Sequence, residues 1–192
     1  KFTLIHNGII ENFDVLKKLL EQKGVEFRTQ TDTEILVQLI STIYHEEKTT
    51  FEQAVVFALQ KVIGTYGIVV MCSDEPNQMI AARLGSPLVL GVGDGEYFLA
   101  SDASPLVEHT RNVIYLEEGE CLTIGDDGYE IKKLENNQTV EKEISRIDFT
   151  LEEIEKVLLI ISALIVVIVE LLNTAVECAI YRISMEHYRL SK

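Results

Sequence analysis

The first third of the chain repeats apolar residues at helical spacing, each stretch opened by a capping residue. Residues 2–5 (FTLI) read as a strand, and the following His6-Asn7-Gly8 carries an Asn-Gly pair that predicts a turn. A helix is predicted from about Asn12, because Leu16, Leu19 and Leu20 share a face and Gly24 supplies a C-terminal stop. Thr31-Asp32-Thr33-Glu34 has the form of a capping box, followed by the stripe Ile35, Leu36, Leu39, Ile40 and Ile43. Thr50-Phe51-Glu52-Gln53 is built the same way, and its stripe Ala54, Val55, Ala58, Leu59, Val62 predicts a helix running to Gly64.

From there the period shortens. Apolar runs at 66–72, 78–83, 87–92, 96–101, 112–116, 119–124 and 129–133 are separated by turn residues. Gly93-Asp94-Gly95 and Asp126-Asp127-Gly128 are hairpin-type turns. Three capped helices followed by many antiparallel strands predict an α+β sandwich, with the helices of 12–23, 33–46 and 50–63 packed on one face. Residues 135–156 are polar, and Thr150-Leu151-Glu152-Glu153 opens a fourth helix expected over 151–182. At Lys156–Val157 the pattern changes abruptly to VLLIISALIVVIV, the sharpest discontinuity in the chain, so 1–156 and 157–192 are read as separate domains.

Charge sharpens this division. The net charge is −14, and residues 157–192 balance three acids against three bases, so the whole excess lies in residues 1–156. Such a surface repels phosphate backbones and argues against a nucleic-acid partner. Cys72, Cys121 and Cys178 form no CxxC pair, which suggests neither a zinc site nor a disulfide framework and fits a reducing cytoplasm for 1–156. Cys72 and Cys121 read as buried small hydrophobes, and His6, His45 and His109 do not cluster along the chain. The chain begins with Lys1 inside a strand pattern, from which upstream sequence is expected.

Two groups of residues carry candidate chemistry. Asn7 and Gly8 pair an amide side chain with an unobstructed backbone N–H, a combination able to hold an oxyanion. Asp32, at a helix N-terminus, is either an acceptor for a substrate ammonium group or a complement to the helix dipole. HNGIIEN, TDTE, AARLGSPLVLG (Ala81–Gly91), FLASD (Phe98–Asp102) and LEEGE (Leu116–Glu120) together resemble the glutaminase domain of the glucosamine-6-phosphate synthases, over residues 1–156. That resemblance implies an N-terminal-nucleophile hydrolase-like α/β/β/α sandwich, here incomplete. It implies glutamine as substrate, hydrolysed to glutamate and ammonia that a second domain uses on fructose 6-phosphate. By resemblance Asn7 and Gly8 form the oxyanion hole and Asp32 binds the glutamine amino group. The nucleophile of that family is an N-terminal Cys whose own amine acts as base. Lys1 does not supply it, so the residues as written are expected to be inactive.

The second group lies in the apolar tail. Fourteen of residues 157–176 are Leu, Ile or Val, favouring bilayer insertion by roughly 4–8 kcal/mol. Glu170 opposes this by roughly 3 kcal/mol. Glu170, Asn173, Thr174 and Glu177 share one helix face. VLLIISALIVVIVELLNTAVECAIYRI resembles the middle membrane helix of the small bacterial diacylglycerol/undecaprenol kinases, which implies Glu177 as a catalytic or metal-associated acid beside Glu170 and Asn173. Tyr181 departs from that family's usual acid. The expectation is membrane or self-association through 157–182, with 157–179 the membrane segment. No metal or cofactor is expected, Mg and ATP entering only if the tail belonged to a complete kinase.

Overall fold

The computed structural model describes residues 1–190, and on the last helix it describes the side chains through Thr174 together with Val176. Two compact units are present, Lys1–Ile147 and Asp148–Lys192.

In the first unit, strand β1 (Phe2–Ile10) is followed by helices α1 (Phe13–Gln22), α2 (Asp32–Glu46) and α3 (Phe51–Leu59). Strands β2 (Gly64–Cys72), β3 (Glu75–Leu84), β4 (Val89–Val92) and β5 (Tyr97–Ala100) come next. A single 3-10 turn at Ser104–Leu106 precedes β6 (Asn112–Tyr115), β7 (Glu120–Gly125), β8 (Gly128–Lys133) and β9 (Ser145–Arg146). One antiparallel sheet has the order β1-β2-β3-β7-β8, the other β5-β4-β6-β9.

The strand period of two explains the layering. On β3, Ile80 and Ala82 face the helices while Ala81 faces the second sheet. On β7, Cys121 and Leu122 divide the same way. Leu90 and Ile114 meet Ala81, Leu122 and Ile131 between the sheets. Val89 and Val113 turn outward to Ala103, Leu106 and Ile147. Strands covered on both faces need no polar alternation, which is why the run 66–72 is continuously apolar. The helices pack on the first sheet through Leu20, Leu36, Leu39, Ile40, Ala54 and Leu59, as their stripes predicted.

Three local expectations are corrected. The turn at His6-Asn7-Gly8 does not form; β1 continues through it, with Asn7 opposite Gly67 and Gly8 opposite Tyr66. Pairing with an equally long β2 satisfies alternate backbone groups along the whole segment, and Gly8 takes φ +144°, which only glycine adopts readily. Helix α3 stops at Leu59, where the Lys61 and Val62 N–H groups turn to the carbonyls of Ala58 (3.0 Å) and Leu59 (3.1 Å) in a tightened last turn before β2 opens at Gly64. The capping box at Thr31 closes on one side only: Thr31 Oγ1 accepts from the Glu34 N–H at 3.3 Å, but the Glu34 carboxylate turns to the N–H groups of Arg28 (2.9 Å) and Thr29 (2.6 Å). At Thr150 the box is reciprocal, with Glu153 N–H on Thr150 Oγ1 at 3.3 Å and Thr150 N–H on Glu153 Oε2 at 2.8 Å.

The second unit is α4 (Leu151–Leu190), one helix that continues past the expected end at 182. Its described side chains from Val157 to Leu172 include no buried hydrophobe; Leu159 is 70% exposed and Val166 61%.

One buried carboxylate ties the strand connections together. Glu120 Oε2 accepts from the Glu117 N–H at 2.6 Å, and Lys142 Nζ (3.0 Å) and Lys133 Nζ (3.2 Å) close on the two oxygens. Burial pushes this carboxyl up, but the Glu117 N–H and the two lysines outweigh it and hold it below the ordinary glutamate range. Its contribution to stability is therefore complete above about pH 4.3, the unfolded value, and is lost as pH falls through the lower folded pKa. Glu120→Gln is expected to cost about 2–3 kcal/mol at neutral pH and to flatten the acid limb of stability, as read by urea denaturation at several pH values.

Candidate functional site

Strand β1 lies at the edge of its sheet. Lys1 and Glu11, at its two ends, both bond toward β2, through Ser73 N–H to Lys1 O (2.9 Å) and Glu11 N–H to Ile63 O (2.8 Å). In an antiparallel ladder alternate residues bond to the same neighbour, so the odd-numbered residues of β1 serve β2 and the even-numbered ones face outward. Phe2, Leu4, His6 and Gly8 consequently turn their N–H groups to the open edge, where no backbone partner is found among the described residues.

The outward N–H of Ile10 is the exception: it donates to Asp32 Oδ2 at 3.1 Å. Asp32 opens α2, so the helix start and the strand edge are joined by this bond. Gly8 and Ile10 are two residues apart, which puts the free Gly8 N–H about 7 Å along the edge from the anchor of Asp32. Thr3, Ile5, Asn7 and Ile9 form the other face of β1 and are exposed. Asn7 thus presents its amide from the strand face adjoining the Gly8 N–H. Asn12, the last residue of the HNGIIEN motif, pins the strand end: its Oδ1 accepts from Ile63 N–H and its Nδ2 donates to Lys61 O, both at 2.9 Å.

Gly8 is required sterically. A Cβ there would lie 2.1 Å from the carbonyl oxygen of Thr65, and φ is +144°. A Cβ on Gly64 would meet Ile9 O at the same 2.1 Å across the ladder, so neither position of the β1/β2 pair has room for a side chain.

Of the residues singled out from sequence, Asn7 and Gly8 lie on the edge strand β1, and Asp32 reaches it from the start of α2 through the Ile10 N–H. Glu170 and Asn173 lie on α4, in the other unit, and the side chain of Glu177 lies outside the described residues. Sequence reading passed over His6 and Thr33, which stand beside Asp32; only their places in HNGIIEN and TDTE could have flagged them. A cleft of about 490 Å³ elsewhere, lined by the carboxylates Glu52, Glu75, Asp126, Asp127 and Glu130 together with Asn77, Gln78 and Tyr129, contains none of Asn7, Gly8 and Asp32. Cys72 and Cys121 are buried, and burial pushes the Cys121 thiol up to about 12, leaving neither placed to act as a nucleophile.

Residues 1–108 match the sequence profile of the glutamine amidotransferase domain. The chain belongs to the glutamine amidotransferase family. Its relatives include the glutamine–fructose-6-phosphate aminotransferases (isomerizing) of Chlorobaculum tepidum, 49% identical over 80% of this chain, and Bacteroides thetaiotaomicron, 46% identical over 81%. The match takes in 25% of each relative, so this amidotransferase chain spans about a quarter of their length. Among solved structures it resembles the glutamine phosphoribosylpyrophosphate amidotransferase of B. subtilis, with a TM-score of 0.62 and 29% identity over 71% of this chain and 30% of that one. The amidotransferase fold is the N-terminal-nucleophile hydrolase-like sandwich expected from sequence. Residues 145–192 match a different profile, that of prokaryotic diacylglycerol kinase.

Gly8→Ala is expected to destabilise the amidotransferase domain by about 2–4 kcal/mol, from backbone strain plus the clash with Thr65. Urea denaturation of the two forms measures it.

Proposed function

We propose that residues 1–156 are part of a glutaminase domain that releases ammonia from glutamine for the synthesis of glucosamine 6-phosphate from fructose 6-phosphate. In this reading the Gly8 N–H and the Asn7 side-chain amide stabilise the oxyanion formed at the glutamine carboxamide. Asp32 receives the α-ammonium group. The observation that carries the reading is the open edge of β1, where a free Gly8 N–H stands one two-residue step from the carboxylate anchored on Ile10. That step is comparable to the span from the amino group to the side-chain carbonyl of an extended glutamine. The similarity to the aminotransferases supports the choice of amino acid and acceptor sugar.

The chemistry also needs a thiolate and a base, and Cys72 and Cys121 provide neither. A polypeptide of these 192 residues is therefore expected to bind glutamine without releasing glutamate above background. Glutamine titrated into the 15N-labelled chain should shift the Gly8 and Ile10 amides, and Asp32→Asn should weaken binding about tenfold, the loss of one charge-assisted contact. Glutamate release, or shifts indifferent to Asp32→Asn, overturns this assignment.

A second reading concerns residues 157–192. We propose that α4 places this segment in a membrane or against copies of itself, while 1–156 remain in the cytoplasm. Leu151–Thr174 is long and apolar enough to cross a bilayer, and its described hydrophobic side chains point in every direction around the helix. A single protein groove covers only one side of such a helix; lipid covers all of it. Glu170 and Asn173 would then mark a contact with other helices, in keeping with the kinase-like profile of 145–192. Deleting 157–192 is expected to turn a detergent-requiring protein into a soluble one. A full chain that runs as a detergent-free monomer in size-exclusion chromatography sinks this reading.

A further inference from the structure

Asp32 is held from a side that the proposed reaction does not use. The His6 side chain is 2% exposed. Its Nδ1 lies 3.3 Å from Thr33 Oγ1 and 3.8 Å from Asp32 Oδ1, while its Nε2 is buried with no partner among the described residues. A neutral imidazole has one N–H and one bare nitrogen. A buried N–H without an acceptor costs more than a bare nitrogen without a donor, which places the proton on Nδ1. Nδ1–H then donates to Thr33 Oγ1, freeing the Thr33 hydroxyl proton to point at Asp32 Oδ1, 3.5 Å away. The other carboxylate oxygen already accepts from the Ile10 N–H.

We propose that His6 is a positioning residue: acting through Thr33, it fixes Asp32 in one orientation toward the amino group of an amino-acid substrate. Asp32 is the first residue of a helix and its side chain is 27% exposed, so solvent competes for its oxygens and its hydrogen bonds set its orientation. The donors that hold it come from β1, directly at Ile10 and through Thr33 at His6, the strand that also carries Gly8. A carboxylate fixed to that strand keeps a constant separation from the Gly8 N–H. Binding then loses less side-chain freedom, which is the advantage of preorganisation.

This proposal rests on Asp32 as the amine acceptor, and the test separates the two. Glutamine affinity of the full chain is measured by the shifts of the Gly8 and Ile10 amides for wild type, His6→Ala, Thr33→Val, Asp32→Asn and the His6→Ala/Asp32→Asn double variant. His6→Ala and Thr33→Val are each expected to weaken binding about fivefold. His6→Asn, which keeps a donor near the Nδ1 position, should recover most of the loss. In the Asp32→Asn background His6→Ala should add nothing, since its effect passes through that carboxylate. A purely structural histidine would weaken binding equally in both backgrounds, and that result overturns the proposal. Thr33→Val keeps side-chain volume and supplies the answer should His6→Ala fail to fold. If Asp32→Asn weakens binding but neither His6→Ala nor Thr33→Val does, positioning by His6 is wrong and the amine site stands. If wild type shows no glutamine-dependent shift, the amine site falls and this proposal with it.

Discussion

The ladder between β1 and β2 is the constraint on which the rest of the amidotransferase unit depends. Nine consecutive pairs, from Phe2 opposite Cys72 to Ile10 opposite Gly64, fix which groups of β1 are consumed inside the sheet and which remain at its edge. Shifting the register by one residue would exchange the two sets. Leu4 and Ile10 would leave the helix-side core, and the Gly8 N–H would be spent on β2. Glycine at 8 and 64 secures that register sterically, because each sits against the opposing backbone where no side chain fits.

Much of this architecture could be read in the sequence, for reasons that differ from element to element. The stripes of α2 and α3 announced themselves because each helix has a hydroxyl cap and one buried face, and Thr31 and Thr50 do cap them. The strands were recognisable as short runs between turn residues, since burial on both faces removes polar positions from their interiors. What could not be read was the behaviour of short-range signals under long-range pairing. Asn7-Gly8 is a strong turn signal locally, but the partner that overrides it lies some sixty residues later in the chain. Glu34 likewise looked committed to Thr31 and was taken by the Arg28–Thr29 backbone. The candidate site was legible as a motif and not as a geometry. Asn7, Gly8 and Asp32 stood out by residue type, whereas the pairing of His6 with Thr33 exists only once β1 and α2 are brought together.

Polar side chains find their partners differently in the sandwich and along the apolar part of α4. In the sandwich, charged side chains that lose water are compensated by partners, as Glu120 is by two lysines and a backbone amide. In α4 the hydroxyls of Ser162 and Thr174 satisfy themselves on the carbonyls of Leu159 and Glu170, at 2.8 and 2.9 Å. Self-bonded hydroxyls cost little in an apolar medium. A carboxylate cannot do the same for itself, which sets Glu170 apart from its neighbours on the helix.

The open edge of β1 has a cost as well as a use. A strand edge whose outward amides have no backbone partner among the described residues, flanked by exposed Ile5 and Ile9, is a template onto which another extended chain can add. Neither lysine nor proline interrupts residues 2–10 to discourage it. Two features oppose such growth. Asp32 occupies the last outward amide and shortens the template, and the excess negative charge makes two copies repel before their edges meet. The acidity that argued against nucleic acid therefore also acts as a colloidal safeguard, one that weakens as salt screens it.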